Sequence, residues 1–419
     1  MKLTSILLLC TTLIFAQNIN KTADLKYRRS SIHLMMVDDP SRLMASSIEK
    51  SFLASAVPDK YNDHSMPMKK VPYTSISSDP PFLIKQYLEN NNIPRDMVAK
   101  WFNRNPQTGA FNMTMIQDRG FYNASDLDVK KAKASKRGMN ILADAGEELI
   151  KNTFIVVCDF SYVNKEDIAD AASAGLMLTG AVLGAATGNK DYEKAGVVAA
   201  AGAQVAGKGY IVKTKMYLYQ LNWNDSVSAV FYNDLWMDET SKDASRKAAF
   251  DNSKLFTLKY IGAATAMADL QSSIFTDKTE EQLIEMATAN ATNSSLVKLE
   301  KAYETFRAKT PLYGVKPLIA KIGLKEGLKG QQRFIVYERQ MTEDGKTKYK
   351  RYGTIRVRGK YIWDNRVNAT GEAKPEEITR FYQTTGRKLY PGLLIQQKPD
   401  PGFCKPFNIL FGQIGRIFH

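Results

Sequence analysis

The hydrophobic and polar positions in the middle of the chain predict strands and helices in alternation. Residues 154–160 are almost continuously apolar, which is typical of a strand covered on both faces. Residues 210–223 alternate between apolar and polar, and residues 227–236 follow a turn-forming segment, so these two stretches predict a long hairpin. Alternation over residues 111–117 predicts a further strand, and the composition of residues 124–151 predicts a helix.

The next segment has the spacing of an amphipathic helix. Between residues 277 and 309, apolar side chains recur every three or four positions, which places them on one helix face. Asp277 or Thr279 can cap the start of this helix, and Pro311 stops it. We expect the helix to connect two parts of the chain and to pack on a neighbouring element.

The C-terminal part is predicted to be rich in strands. Residues 333–339 and 349–358 have strand patterns and flank a turn that contains Gly345, which predicts a hairpin. Several short strands separated by frequent turns favour a small β-barrel. Residues 406–419 are apolar and aromatic for an end segment, so we expect them to dock on the protein or on a partner.

The segment before residue 106 is predicted to be an irregular leader, because prolines are dense within it. Proline breaks helices and is excluded from central strands. Two short helices are expected inside this leader, one over residues 82–88 and one after Pro94.

Together these patterns predict an α+β fold made of several consecutive parts. The parts are a signal peptide, an irregular proline-rich leader with short helices, a central α/β domain with a Gly/Ala-rich helical hairpin, an amphipathic helical connector, a small β-barrel and an apolar tail. In the same order they span residues 1–16, 17–105, 106–275, 276–312, 313–405 and 406–419.

An uncharged Gly/Ala-rich stretch interrupts the central domain at residues 171–188. Gly180, Gly184 and Gly188 share one helix face, and small residues at this spacing let two helix backbones approach closely. We interpret the stretch as one arm of a buried helical hairpin, with residues 195–207 as the other arm. Since 18 uncharged residues reach the lower length limit for a spanning helix, insertion into a membrane through an oligomer is the alternative.

The first sixteen residues have the organisation of a cleavable secretory signal peptide. Lys2 supplies the positive start, residues 3–15 form an uncharged run, and Ala16 places a small residue before the cleavage point. The alternative is a lipoprotein acylated at Cys10, although the leucines before Cys10 lack the small residue that acylation requires. The sequence therefore predicts export to the periplasm or the cell envelope.

Composition adds positive charge and very little cysteine to this picture. The chain has 58 basic and 43 acidic residues, for a net charge of +15, which favours anionic partners such as acidic glycans, lipid headgroups at a membrane surface or an acidic protein. Nucleic acid is not expected, because the predicted export argues against it. Once the signal peptide is removed, Cys158 and Cys404 remain; a disulfide between them is chemically allowed, and a buried free thiol at Cys158 is favoured.

No catalytic constellation, metal motif or cofactor site emerges from the sequence. The three histidines are His33, His64 and His419, which leaves little from which to build a zinc site or a histidine-activated nucleophile. Residues 202–209 fit the GxxxxGK phosphate-loop pattern, but Gly209 stands where Ser or Thr must reach Mg²⁺, and a predicted helix precedes the loop. We therefore expect no catalytic activity, no cofactor and no metal.

Three C-terminal segments carry a resemblance to a known family. Residues 327–338, 352–357 and 389–395 occur in an order that is similar to the C-terminal barrel of the flagellar T-ring assembly protein family. The central region, with residues 154–159, Ala/Gly helices and the predicted hairpin at 210–236, resembles the α/β domains of that family and of curli-type secretion channels. The resemblance implies a non-enzymatic bacterial envelope protein that binds or scaffolds others.

The hypothesis is an exported, envelope-associated binding or assembly protein, with an envelope protein or an anionic envelope polymer as its partner. The barrel and the hairpin would supply the contact surfaces, and a homo-oligomer is compatible with this hypothesis. For each of the aromatic residues of the candidate interaction surface taken singly, ordinary sheet packing is the favoured interpretation. The candidate surface comprises Tyr217, Tyr219, Trp223, Phe231, Tyr232 and Trp236. The alternatives are a membrane-inserting oligomer that uses the glycine-rich hairpin and an enzyme that acts on an envelope polymer.

Overall fold

The computed structural model describes most of the chain between residues 30 and 398. The described residues are 30–58, 60–76, 78–123, 148–164, 209–271, 279–341, 347–365 and 378–398. They form two sheets with helices, which confirms the α+β class. The predicted signal peptide, the glycine-rich hairpin with Gly180, Gly184 and Gly188, and the apolar tail lie outside the described residues.

The first sheet has six strands. They are β1 (Ser31–Asp38), β2 (Asn62–Asp63), β3 (Lys70–Pro72), β4 (Thr153–Asn164), β5 (Gly209–Leu221) and β6 (Leu258–Gln271). Their order is β2-β1-β4-β5-β6, and β3 also pairs with β1. β1 is parallel to β2, β3 and β4, whereas β5 is antiparallel to both of its neighbours.

Helices cover both faces of the first sheet. The described helices are α1 (Ala45–Ala54), α2 (Pro80–Asn90), α3 (Ile93–Trp101), α4 (Thr114–Asn123), α5 (Asp225–Val230), α6 (Ala244–Asp251) and α7 (Glu280–Ala302). Side chains of α1 and α7 pack with Ile32 and Val156 on one face, and side chains of α2 and α3 pack with Met35 and Ile155 on the other. Because successive side chains in a strand alternate between faces, β1 and β4 contribute to both cores of a three-layer arrangement.

Strand β1 corrects the prediction of an irregular leader over residues 17–105. It lies between β2 and β4 and is buried along nearly its whole length. All the prolines of this region follow the strand, and the first of them is Pro40. Proline density counted over a long window therefore concealed a short apolar strand in the interior of the sheet. The two short helices expected in this region are confirmed as α2 and α3.

The predicted long hairpin is wrong in its second arm. β5 confirms the strand expected at residues 210–223, but residues 227–236 form α5 and a π-helical turn, Phe231–Leu235. Asn224 accepts hydrogen bonds from two backbone N–H groups in the first turn of α5, so the apparent turn residues are a helix start. The next strand along the chain that pairs antiparallel with β5 is β6, and α5 and α6 lie between the two strands. The strand expected at residues 111–117 is also wrong, because α4 begins within it.

Helix α7 confirms the amphipathic helix predicted between residues 277 and 309. The Gln282 N–H donates to Thr279 Oγ1 at 3.3 Å, and the Thr279 N–H donates to the Gln282 side chain at 3.0 Å, which is a capping box. The helix packs on β5, β6 and α1, so it closes a core of the first sheet as well as leading to the second. Within the described ranges, no helix has the length and apolar character needed to cross a bilayer.

The second sheet has seven antiparallel strands and curls into a half-barrel. The strands are β7 (Thr310–Pro311), β8 (Gly314–Val315), β9 (Leu318–Ala320), β10 (Arg333–Met341), β11 (Thr347–Val357), β12 (Thr379–Gly386) and β13 (Leu394–Gln397). Their order is β7-β13-β10-β11-β12-β9-β8. β10 and β11 confirm the strands predicted at residues 333–339 and 349–358.

One short segment supplies both edges of the half-barrel. β7 pairs with β13 and β8 pairs with β9, although only two residues separate β7 from β8. Between them, the Leu312 N–H donates to the residue just before β13, and the Tyr313 N–H donates to β9. The sheet therefore curls until its two edges meet the same segment, around a core that contains Phe334, Val336 and Ile355.

Candidate functional site

Four of the six aromatic residues predicted as an interaction surface are buried, and the other two are half-buried. Tyr217 and Tyr219 are 1% and 0% exposed and lie in the core beneath α2 and α3. Burial raises the pKa of Tyr217 to about 12, and the Tyr219 hydroxyl donates to the Pro81 carbonyl at 2.9 Å. The other four residues belong to a second cluster at the end of β5, two of them buried and two half-buried: Trp223, Phe231, Tyr232 and Trp236.

Phe231 lies at the centre of that second cluster. Its ring centroid is 4.7 Å from that of Phe102, 5.2 Å from that of Phe111 and 5.6 Å from that of Trp223. Ring pairs at such spacings contribute about 0.5–1.5 kcal/mol each beyond the burial of their area. The cluster therefore stabilises the end of the first sheet. Aromatic residues are common both in cores and at interfaces, so sequence alone could not separate the two roles.

A groove on the half-barrel combines basic and aromatic side chains. Its larger compartment has a volume of about 540 Å³ and is lined by the β8–β9 turn, β12 and the loop after β11. A smaller compartment of about 360 Å³ shares Arg358, Tyr361 and Tyr382 with the larger one. Among the residues that the structure describes, none that lines either compartment is acidic. The basic residues that line them are Lys316, Arg358, Lys360, Arg380 and Lys388.

Strand alternation builds one wall of this groove. In β12, Phe381 is 3% exposed and belongs to the half-barrel core. Arg380 and Tyr382, on either side of Phe381, therefore lie on the opposite face of the strand, where they line the groove. Tyr382 pairs in register with Arg356 of β11. The periodicity that fills the core thus also fixes the polar face.

A single turn of 3₁₀ helix after β11, Gly359–Tyr361, builds a second wall. The Tyr361 N–H donates to the Arg358 carbonyl at 2.9 Å, and the Arg358 N–H donates to the Arg380 carbonyl at 2.9 Å. The turn is thereby tied to β12. A Cβ added to Gly359 would lie 3.3 Å from the Cα of Gly330, so these two backbones approach closely because neither residue has a side chain.

Gln331 occupies an unusual backbone position in the smaller compartment. Its φ of 63° lies in the left-handed region, which costs energy for a residue other than glycine. Its Oε1 accepts a hydrogen bond from the Tyr382 hydroxyl at 2.6 Å. The hydrogen bond holds the Tyr382 ring at the junction of the two compartments.

The guanidinium groups of the groove stack on its tyrosines. Arg358 Cζ lies 5.6 Å from the Tyr382 ring centroid, and Arg380 Cζ lies 5.0 Å from the Tyr361 ring centroid. Tyr361 is 51% exposed. Contact with the ring restricts the movement of the guanidinium, and the planar set of N–H donors of a guanidinium suits bidentate binding of carboxylates and phosphates. Chemically, the groove is suited to hold anionic groups.

The residues of the groove are not adjacent in the sequence. The sequence does hold a weak signal for the site, in two short stretches that interleave basic and aromatic residues, Arg-Gly-Lys-Tyr at 358–361 and Arg-Phe-Tyr at 380–382. About twenty residues separate the stretches, and basic residues are spread over the whole chain. Only the pairing of β11 with β12 brings the two stretches side by side.

Two histidines are buried in the first region. His33 Nδ1 accepts from the Met66 N–H at 3.2 Å, and His64 Nε2 lies 3.0 Å from a backbone carbonyl of α3. Burial, with Lys69 nearby, lowers the pKa of His33 to about 3, and burial with Arg119 lowers the pKa of His64 well below its usual value. Both side chains are therefore neutral at pH 7. In the part of the chain that the structure describes, no group of three or more His, Cys, Asp or Glu side chains is arranged to hold a metal ion.

Cys158 is a buried free thiol in β4, as expected. Burial raises the pKa of this thiol, which disfavours the reactive thiolate. Cys404 lies outside the described residues. The same holds for residues 202–208 of the phosphate-loop pattern, and Gly209 is the first residue of β5.

No family model matches this chain, and no curated protein matches it in sequence. The resemblance to the T-ring assembly and curli-type families stays a prediction. The geometry of the groove is therefore the basis on which a function is argued.

Proposed function

We propose that the chain is an exported, envelope-associated binding or assembly protein without catalytic activity, and that it holds an anionic partner in the basic groove of the half-barrel. The observation that carries this proposal is the set of five basic side chains around Tyr361 and Tyr382, with no acidic side chain among the described residues that line the groove. This groove replaces the predicted hairpin as the contact surface.

The number of charges in the groove matters because each exposed ion pair contributes little to the free energy of binding. Such pairs are typically worth about 0.2–1 kcal/mol. A useful affinity therefore requires several contacts to form at once, and a concave surface allows this. A cleft lined by charges of one sign also concentrates the field and accelerates association with an oppositely charged partner.

Charge reversal inside and outside the groove tests the binding part of the proposal. Three probes would be titrated: polygalacturonate, poly-L-glutamate and single-stranded DNA. We expect the purified chain to bind at least one probe, and the double variant Arg358→Glu/Arg380→Glu to bind it at least tenfold more weakly. The matched control is Lys151→Glu/Lys254→Glu, which makes the same change of net charge at exposed positions beside the first sheet.

An equal loss of affinity in both double variants would contradict the proposal, because binding would then depend on overall charge. Absence of binding to every probe would contradict it as well. Circular dichroism of each variant shows whether the fold is retained, so that a loss of binding is interpreted only for folded protein.

Export rests on the first sixteen residues and has its own test. N-terminal sequencing of protein recovered from the native cell is expected to start at Gln17. Intact Met1 on protein from the cytosolic fraction would contradict the export part of the proposal.

The two alternatives from the sequence stay predictions. The membrane-inserting oligomer depends on Gly180, Gly184 and Gly188, which lie outside the described residues. Membrane association that resists a carbonate wash would favour it over binding through the groove. The enzyme alternative gains no support from the described lining of the groove, in which no carboxylate is placed.

A further inference from the structure

The two compartments of the groove adjoin each other. They share Arg358, Tyr361 and Tyr382, and their volumes are about 540 and 360 Å³. Each volume falls in the range of roughly 300–1,000 Å³ that holds a drug-sized ligand. A single small anion would fill only a fraction of one compartment. The shape therefore fits a ligand with repeating units, one part of which lies on each side of Arg358.

Neutral hydrogen-bonding groups separate the charges along the groove. The side chains of Gln331 and Gln383 line the smaller and the larger compartment, respectively, and the tyrosine rings lie where the compartments meet. Gln331 Oε1 already accepts from the Tyr382 hydroxyl. Gln383 Nε2 already donates to the Thr385 and Arg387 carbonyls. A ligand that carries only acceptor oxygens, such as polyphosphate, has no donor for Gln383 Oε1. A ligand that carries hydroxyl groups between its charges would satisfy both kinds of side chain.

The stacking of arginines on tyrosines disfavours single-stranded nucleic acid. Proteins that bind single strands use aromatic faces on which successive bases stack. Here one face of each tyrosine is occupied by a guanidinium, with Arg358 over Tyr382 and Arg380 over Tyr361. The rings therefore orient the arginines, and the arginines face the ligand with donors that suit carboxylates.

The edges of the half-barrel disfavour an extended acidic peptide. Peptides that bind β proteins commonly add a strand to an exposed edge and gain affinity from main-chain hydrogen bonds. The two edge strands, β7 and β8, are each two residues long and belong to one segment. An acidic peptide in the groove would gain little beyond contacts of its side chains.

We propose that the groove binds a linear acidic polysaccharide, whose carboxylate-bearing sugar rings occupy both compartments and place one carboxylate at Arg358. This inference rests on the proposed function, since it names the chemical class of the anionic partner. Neighbouring sugar hydroxyls reach Gln331 and Gln383, and the carboxylates of flanking rings reach Lys360 on one side and Arg380 on the other.

Titration of the purified chain with defined oligomers tests this inference. The probes are galacturonate and mannuronate as monomers, trimers and hexamers, a neutral malto-hexaose, a hexaglutamate peptide and a single-stranded DNA hexamer. We expect at least one uronate hexamer to bind tenfold or more tightly than its monomer, than hexaglutamate and than the DNA. Malto-hexaose is expected not to bind measurably.

Arg358→Lys is the informative variant, because it keeps the charge and removes the planar fork. We expect this variant to bind the uronate hexamer at least fivefold more weakly, while its affinity for hexaglutamate changes less than twofold. Lys254→Arg serves as the matched control outside the groove and is expected to change neither affinity.

The outcomes separate this inference from the proposed function. If hexaglutamate or DNA binds as tightly as the uronate hexamers and Arg358→Glu/Arg380→Glu abolishes that binding, the polysaccharide inference is overturned and the groove remains an anion site. If no anionic probe binds, or if binding ignores both arginines, both proposals are overturned. Equal affinity for a uronate monomer and its hexamer would show that the ligand does not span the two compartments, which would overturn the polysaccharide inference.

Discussion

The region around the first sheet and the half-barrel both pair arginines with aromatic rings, but the pairs serve different purposes. Around the first sheet, Arg119 Cζ lies 4.5 Å from the Trp101 ring and Arg104 Cζ lies 4.7 Å from the Phe250 ring. Trp101 and Phe250 are 0% and 1% exposed. These arginines therefore cover the aromatic core with their stems and planes, and the pairing serves stability.

In the half-barrel, the tyrosines under Arg358 and Arg380 are half-buried or exposed. Arg358 and Tyr361 are exposed, so a cation and a ring of the groove are accessible to a ligand. The comparison teaches that neither aromatic content nor positive charge marks a binding surface by itself. Burial decides which of two chemically similar clusters is core and which is available to a partner.

Truncating one ring in each region sharpens this comparison and has the largest expected effect. Phe231→Ala removes a fully buried ring from the aromatic cluster and is expected to lower the free energy of unfolding by about 4 kcal/mol. Tyr361→Ala removes an exposed ring from the groove and is expected to cost below about 1 kcal/mol. Urea unfolding of both variants measures the difference.

Among folded variants, Tyr361→Ala is expected to weaken the affinity for a polyanion more than Phe231→Ala does. Similar losses of stability in the two variants would break the comparison, since the groove ring would then be as structural as the core ring.

Two glycines give the next largest contrast. A Cβ on Gly262 of β6 would lie 2.0 Å from Tyr303 Oη, at a φ of 154°, whereas a Cβ on Gly392 beside β13 would meet nothing within 4 Å, at a φ of 89°. We expect Gly262→Ala to lower the free energy of unfolding by about 3 kcal/mol, because strain and overpacking add. Gly392→Ala is expected to cost about 1 kcal/mol, from the backbone alone.

The contact at Gly262 also protects the outer edge of β6. The Tyr303 hydroxyl donates to the Ala263 carbonyl at 3.0 Å, and Lys298 Nζ donates to the Thr265 carbonyl at 2.8 Å. Side chains of α7 therefore occupy edge carbonyls that could otherwise pair with another strand. Equal unfolding midpoints for the two glycine variants would show that Tyr303 moves aside at little cost, and the predicted contrast would be wrong.

Acid is expected to destabilise the first region through His33, with the smallest of the three effects. Its pKa falls from 6.5 to about 3 on folding, so only the unfolded state takes up this proton between those values. Stability is complete above about pH 6.5 and falls as pH decreases toward 3, by about 1.4 kcal/mol per pH unit. Between pH 6.5 and 5 the loss is about 2 kcal/mol.

Urea unfolding at several pH values checks this prediction with His33→Gln as the comparison. On acidification the variant is expected to lose less stability than the unchanged protein, because it lacks the proton that His33 takes up on unfolding. The contribution of His64 is the same in both proteins. The half-barrel has no equivalent, because residues 310–398 contain no histidine. Parallel pH profiles for the two proteins would contradict the assignment to His33.

Patterns of local periodicity were sufficient where one face or both faces of an element are apolar. β4, β5, β10, β11 and α7 were predictable for this reason, and the Thr279 cap was one of two candidates. β1 was concealed by the prolines that follow it, and residues 227–236 alternate much like a strand although Asn224 starts a helix there. Because of the second error, aromatic residues that lie in or beside a core were predicted to form a surface.

Short-range sequence patterns were enough to predict the class of the fold, the strands with strong apolar patterns and the long capped helix, and composition was enough for the excess of positive charge. The strands and the helix depend on neighbours within a few residues, because the backbone sets the period of 2 in a strand and 3.6 in a helix. Only the tertiary structure decided which aromatic residues are covered and which basic residues meet. Pairing between distant strands brings Arg358 to Arg380, and no local pattern encodes that pairing because it depends on the curl of the whole sheet.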